Sequence, residues 1–279
     1  MTTPVTLLYV PADRPDRIPK ALNSGAEAVI VDLEDAIAPS VKDTVRANLR
    51  EMLEGLSSDF PQVQVRVNGP QTPWFEKDCE AVNALPDSVM IRIPKVENAE
   101  QVGMLVQNLP GRKLHLLIET ALGVQNLFQI ASAHTAVTSV SLGELDLRSS
   151  TGISSDSGLD WIRTRLVIAV RAAGLEAPTM SVYPQIRDDE GLLVSSRHGE
   201  TLGFRGRCAL HPRQLPIIRD AFRPPREKLL RAEELLSKLK NSIDSNSGVA
   251  MLADGSFVDA AAIDAAKETV ALSKKLGSA

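Results

Sequence analysis

The chain has 279 residues, 43% hydrophobic and 24% charged, with a formal net charge of -4. That is a globular composition, and its acidic balance offers no global attraction for a nucleic-acid backbone. Two cysteines, Cys79 and Cys208, stand far apart and outside any Cys-x-x-Cys pair, which argues against a disulfide framework or a thiolate zinc site and fits a reducing cytoplasm.

The first element is the apolar run TLLYVP (6–11). No basic stretch precedes it, so it is not read as a signal peptide, and no segment approaches the roughly 20 apolar residues of a membrane span. The protein is expected to be cytoplasmic. The next segment, ADRPDRIPK, places Arg14, Arg17 and Lys20 in a strand-to-helix connection. Solvated surface charge is the default reading of three such cations; a phosphate-bearing handle on a ligand is the functional one.

Seven further apolar runs follow: 28–35, 62–68, 88–95, 114–120, 138–147, 179–186 and 206–212. Each precedes a segment with helical period, so the rhythm is βα repeated eight times. Eight units in this length predict a (β/α)8 TIM barrel, here over residues 1–239. A doubly wound sheet is the runner-up, but no glycine-rich turn follows the first strand. KNSIDSNSGVA (240–250) reads as a linker, and SFVDAAAIDAAKETVALSKKL as a helical tail, so 240–279 is expected to be a separate C-terminal segment.

In a parallel barrel, chemistry gathers at the carboxyl ends of the strands. The second run ends in Asp32, Glu34 and Asp35, the third in Arg66 and Asn68, the fourth in Lys95, and the fifth in Glu119. The sixth ends in Glu144 and Asp146, the eighth in His211. Strand ends are often polar merely because they emerge into water. Here, however, acids and bases from distant segments interrupt apolar runs and would converge on one mouth. Glu119 and Asp146 offer two hard oxygen ligands from neighbouring strands, which suits Mg²⁺ better than zinc. Glu144 and Asp146 are two apart, so in a strand both would face one side. Alternatively, the chain leaves strand geometry at Leu145. Arg66 suits either a structural ion pair or a fork for a carboxylate or enolate oxygen. Lys95 in IPK is the residue a Schiff-base aldolase would use. His211 stands before a proline and is as readily structural; His115, His134 and His198 carry no motif.

Taken together and in order, LLYVPADRPDRIPKAL, VIVDLEDAI, VRVN, IRIPKVENAEQV, LIETALGV, GELDLRSSTG and GFRGRCALHPRQLPII resemble the citrate lyase β-subunit-like enzymes of the HpcH/HpaI aldolase group. Malyl-CoA and citramalyl-CoA lyases are relatives within it. The resemblance implies a Mg²⁺-dependent lyase that cleaves or forms a carbon–carbon bond in a β-hydroxyacyl thioester. It implies that Glu119 and Asp146 are the metal ligands, with Glu144 supporting them from behind. Arg66 would stabilise the enolate or carbonyl oxygen. Asp259, in GSFVDAAAIDAAK, would be an acid/base reaching a neighbouring subunit's site, with a carboxylate of the DLED run such as Asp35 as the other candidate. The tail segment favours a free CoA thioester and a homotrimer or homohexamer. Two departures stand out: Leu145 occupies the place of the family's glutamate, and Pro184-Gln185 stands where many relatives have an Ile/Leu-Asp pair. Two rival readings follow. One is a CoA-independent class II aldolase releasing pyruvate; the other is a non-catalytic barrel subunit.

Overall fold

The computed structural model describes residues 3–54, 60–242, 250–251, 257–258 and 260–277. The chain divides into two compact units, Met1–Ala221 and Phe222–Ala279.

In the first unit, βα units follow one another as the hydrophobic rhythm predicts. β1 (Thr6–Pro11) leads to α1 (Ile18–Leu22), β2 (Ala28–Asp32) to α2 (Lys42–Met52), and β3 (Gln62–Arg66) to α3 (Phe75–Asn83). β4 (Met90–Ile93) leads to α4 (Ala99–Asn108). β5 (Leu114–Ile118) leads to the short α5 (Ala121–Gln125) and α6 (Leu127–Ala131). β6 (Val137–Leu142) is followed by α7 (Glu144–Thr151) and α8 (Asp156–Ala172). Then come α9 (Asp189–Thr201), β7 (Arg207–Ala209) and α10 (Gln214–Phe222).

All seven strands pair in parallel, in the order β6-β5-β4-β3-β2-β1-β7. β2, β4 and β5 are buried along their whole length, as strands covered on both faces must be. Helix starts are fixed locally. Asn98, Thr120, Ser155 and Asp188 each accept a hydrogen bond from a backbone N–H three residues on.

Two expectations are corrected. The run 179–186 is not a full strand. Met180 bridges Arg207, with its N–H donating to Gly206 O at 2.8 Å and its carbonyl accepting from Cys208 N–H at 3.1 Å. Pro178 and Pro184 flank the segment and supply no N–H, which keeps the ladder short. Only side chains reach from there toward β6, through Ser141 Oγ and Thr179 Oγ1 at 3.3 Å. Among the described residues no backbone ladder joins the two, so the hydrogen-bonded sheet is a curled half-barrel of seven strands. The second correction concerns 138–147. The strand stops at Leu142, and α7 begins at Glu144. Acidic residues in a first helical turn are favoured by the helix dipole, and Gly143 makes the corner.

In the second unit, α11 (Arg226–Ser242) packs against α12 (Ala260–Leu276). Between them in sequence, β8 (Ala250–Met251) and β9 (Phe257–Val258) pair antiparallel.

Candidate active site

A cavity of about 390 Å³ opens at the carboxyl ends of the strands in the first unit. Its charged lining includes Asp32, Asp35, Arg66, Glu119 and Asp146, which come from the ends of β2, β3 and β5 and from α7.

Arg66, the last residue of β3, is the hub. Its Nε and Nη2 donate to the two carboxylate oxygens of Asp32, both at 2.7 Å, across the β2–β3 register pair. This is the bidentate fork for which a guanidinium is shaped. Nη1 lies 2.8 Å from Glu34 Oε2 and donates to Asp35 Oδ2 at 3.1 Å. The contact with Glu34 is an ion pair without hydrogen-bond alignment, because Oε2 accepts from no donor. Asp32 in turn accepts from the N–H groups of Glu34 and Ala36, at 3.0 and 3.2 Å. Lys42 Nζ donates to the carbonyls of Leu33 and Glu34, at 2.7 and 2.6 Å. The 32–36 turn is therefore pinned from two sides. Burial is the first cause that lowers the Lys42 ammonium's pKa.

Beneath Arg66, the guanidinium carbons of Arg66 and Arg92 lie 5.1 and 5.7 Å from the Tyr9 ring centroid. Burial raises the Tyr9 phenol to about 12, so it stays protonated at neutral pH. Arg92 continues the polar chain downward: its Nη1 donates to Gln64 Oε1 at 3.1 Å and faces His115 Nδ1 at 3.3 Å.

Glu119 follows β5 directly and is 3% exposed. Its Oε2 is buried and has no hydrogen-bond partner. Burial, and after it the carboxylates of Glu34 and Asp146, push Glu119 up to about 8. A buried carboxylate that faces two others and has one oxygen unpartnered either takes up a proton or pairs with a cation. Gly143 makes room for it, since a Cβ there would lie 2.7 Å from Glu119 Cδ. Lys95 has a left-handed backbone, φ 58°, and its Nζ donates to Glu34 Oε1 at 3.1 Å. Burial works against the Lys95 charge, but Glu34, Glu119 and Asp146 outweigh it and hold its pKa above the usual lysine value.

Glu144 and Asp146 part company on α7. Residues two apart on a helix point about 200° from each other, on nearly opposite sides. Glu144 is buried against Arg163 of α8, which donates to Oε1 at 2.9 Å and to Oε2 at 2.6 Å. Asp146 lines the cavity. Among the described residues no three His, Cys, Asp or Glu side chains form a closed metal cage. Two carboxylates, one of them orphaned, with open space beside them fit a hard cation that keeps water and substrate ligands.

Of the other expected residues, Arg17 and Asp35 line the cavity. Arg14 and Lys20 do not. They stand 3.1 and 3.8 Å from Asp16 at the surface. His211 accepts from Arg213 N–H at 3.2 Å and is exposed. Asp259 lies outside the described residues. Sequence reasoning missed Tyr9, Arg92 and Lys42. Arg92 had a signal: a cation alternating inside the apolar MIRI, as Arg66 does inside QVQVR. Lys42 had none.

Residues 5–212 match the family described as HpcH/HpaI aldolase/citrate lyase. Human mitochondrial citramalyl-CoA lyase is 31% identical over an alignment of 294 residues that covers 97% of this chain and 85% of that one. A (3S)-malyl-CoA thioesterase of Cereibacter sphaeroides is 34% identical over 277 residues, covering 95% and 93%. Among solved structures, the protein CitE of Mycobacterium tuberculosis, in complex with magnesium, acetoacetate and coenzyme A, superposes with a TM-score of 0.79. It is 29% identical, and the match covers 98% of both chains. The chain belongs to the HpcH/HpaI aldolase/citrate lyase family.

Proposed function

We propose that this member of the HpcH/HpaI aldolase/citrate lyase family is a Mg²⁺-dependent carbon–carbon lyase acting on a β-hydroxyacyl-CoA thioester of the malyl-CoA or citramalyl-CoA type. The observation that carries the reading is Glu119: a buried carboxylate with an orphaned oxygen, opposite Asp146 and beside Arg66 in one cavity. Family membership and the named relatives supply the reaction class.

Glu119 and Asp146 would hold the ion. Bound there, Mg²⁺ supplies Lewis-acid polarisation and a template for the oxygens of the hydroxy acid. The chain's own residues do the rest. Cleavage takes the proton from the β-hydroxyl and breaks the bond between the hydroxyl-bearing carbon and the thioester's α-carbon. The electron pair moves into a thioester enolate, which a proton then quenches at that carbon. Arg66 is held in place by Asp32 and offers a fixed positive charge where the enolate oxygen develops. Asp35, 58% exposed at its side chain and bound to Arg66 only through Nη1, is placed to exchange the proton. Asp259, brought by a neighbouring subunit of a homotrimer or homohexamer, is the second candidate for that role. Arg17 at the cavity, with Arg14 and Lys20 on the same connection, would take the phosphates of the CoA handle. In this reading residues 1–239 form a full (β/α)8 barrel with Thr179–Val182 as its eighth staves, residues 240–279 cover a partner's site, and the protein works in the cytoplasm.

The similarity to a thioesterase makes hydrolysis the second reading. One assay separates them. Malyl-CoA and citramalyl-CoA are incubated with the protein and Mg²⁺, and keto acid and free thiol are measured together. Release of keto acid with the thioester retained, abolished by EDTA, is the expected result. Free thiol without keto acid would establish hydrolysis instead. Activity that persists in EDTA and is trapped by borohydride would overturn the metal-dependent reading in favour of Lys95.

A further inference from the structure

The cavity is not charged throughout. Leu117 and Leu142 line it from the buried sheet, but Leu145 and Leu210 line it while 53% and 39% exposed. Neither leucine is fully committed to the core, because about half of Leu145 and over a third of Leu210 is still in water. Leu145 also sits at a junction. With Val182 it lines a second cavity of about 580 Å³ as well as the first. It directly precedes Asp146, yet no polar group of its own faces the site.

We propose that Leu145, backed by Val182 and Leu210, determines specificity by selecting thioesters whose hydroxyl-bearing carbon carries an alkyl group. The inference rests on the lyase reading above. The hydroxyl and carboxylate on that carbon belong with the charged residues around Asp146 and Glu119, and the fourth bond leads to the thioester. The remaining substituent is the one that meets the leucine. Hydrogen leaves the side chain in water, whereas a methyl group covers it. One buried methylene-sized group is worth about fourfold in affinity. A charged substituent, such as the carboxymethyl arm of a citryl thioester, would meet apolar side chains that can neither donate nor accept a hydrogen bond.

The test compares kcat/KM for malyl-CoA, citramalyl-CoA and citryl-CoA in the wild type, Leu145→Ala and Leu145→Gln, with thermal midpoints recorded for each. The wild type is expected to favour citramalyl-CoA over malyl-CoA by about fourfold or more, with citryl-CoA poorest. Both variants should bring the citramalyl-to-malyl ratio close to one at an unchanged thermal midpoint. An unchanged ratio in variants that remain active would overturn the inference and leave the lyase reading standing. A thermal midpoint that falls together with all three activities would mark a structural role and overturn it equally. If the wild type cleaves none of the three, the lyase reading itself fails, and this inference with it.

Discussion

Glu144 and Arg163 close on each other through two hydrogen bonds, at 2.9 and 2.6 Å, and so tie the first turn of α7 to α8. Both side chains are nearly inaccessible to water. The pair therefore removes Glu144 from the cavity chemistry and orients the helix that presents Asp146.

Removing one partner of such a pair leaves the other charge buried. Arg163→Ala should lower stability by about 3 kcal/mol, read from urea unfolding. Arg163 also contacts Asp160 and Asp156, but these keep His198 and Arg148 as partners, so the buried Glu144 carries the loss. The double variant Arg163→Met/Glu144→Leu should recover much of that stability. A double variant no more stable than Arg163→Ala would show that the pair was not the source of the loss.

Asp146→Asn and Glu119→Gln should each abolish detectable Mg²⁺ binding in calorimetry while the circular dichroism spectrum stays native. Glu144→Gln should retain binding, weakened by about 10-fold, the scale of supporting contacts around a metal ligand. Equal loss in all three would place Glu144 on the metal and contradict the separation seen on α7.

Gly143→Ala tests the space around Glu119 without altering any charge. The backbone at Gly143, φ −97°, is open to any residue, so only the added methyl matters. It would collide with the Glu119 carboxyl group and displace it. Mg²⁺ affinity should fall by about 10-fold or more, while Gly103→Ala, on α4 with open space around it and no left-handed backbone, should leave it unchanged.

His115 predicts a pH response far from the cavity mouth. Burial first, and then the Arg92 charge, hold its pKa well below the usual 6.5. Arg92 can only donate, so Nδ1 accepts and Nε2–H donates to Ser141 Oγ at 2.8 Å. Below pH 6.5 the unfolded chain binds a proton that the native state refuses. The stabilising contribution is therefore complete above pH 6.5 and lost as pH falls, by up to ~1.4 kcal/mol per pH unit. His115→Gln should flatten that acid limb in urea titrations between pH 7 and 5; an unchanged slope would assign it to other groups.

Much of this was legible in the sequence because its causes are local. The βα rhythm follows from apolar periodicity, and β1 occupies the residues of the TLLYVP run. Strand ends marked Asp32, Arg66, Glu119 and Asp146 as residues of one mouth. What stayed hidden depended on contacts between distant segments. The resemblance separates Glu144 from Asp146, but the physical cause, α7 starting at Glu144 with Arg163 waiting on α8, was not legible. Lys42 looks like any lysine opening a helix, and its role shows only when the 33–34 carbonyls fold over it. The 179–186 run had the composition of a strand, but its prolines and its position beside β7 limited it to a single bridge.

Lys95 shows what the molecule gives up to keep its site. A left-handed backbone under a side chain costs of order 1 kcal/mol, and glycine would adopt it freely. Anyone engineering this chain for heat resistance would arrive at Lys95→Gly early, on the relief of the backbone alone. It would also take away the ammonium group that holds Glu34. Selection for robustness alone is thus drawn to a position where robustness and chemistry conflict, and a stabilised variant should be judged by what happens to Glu34.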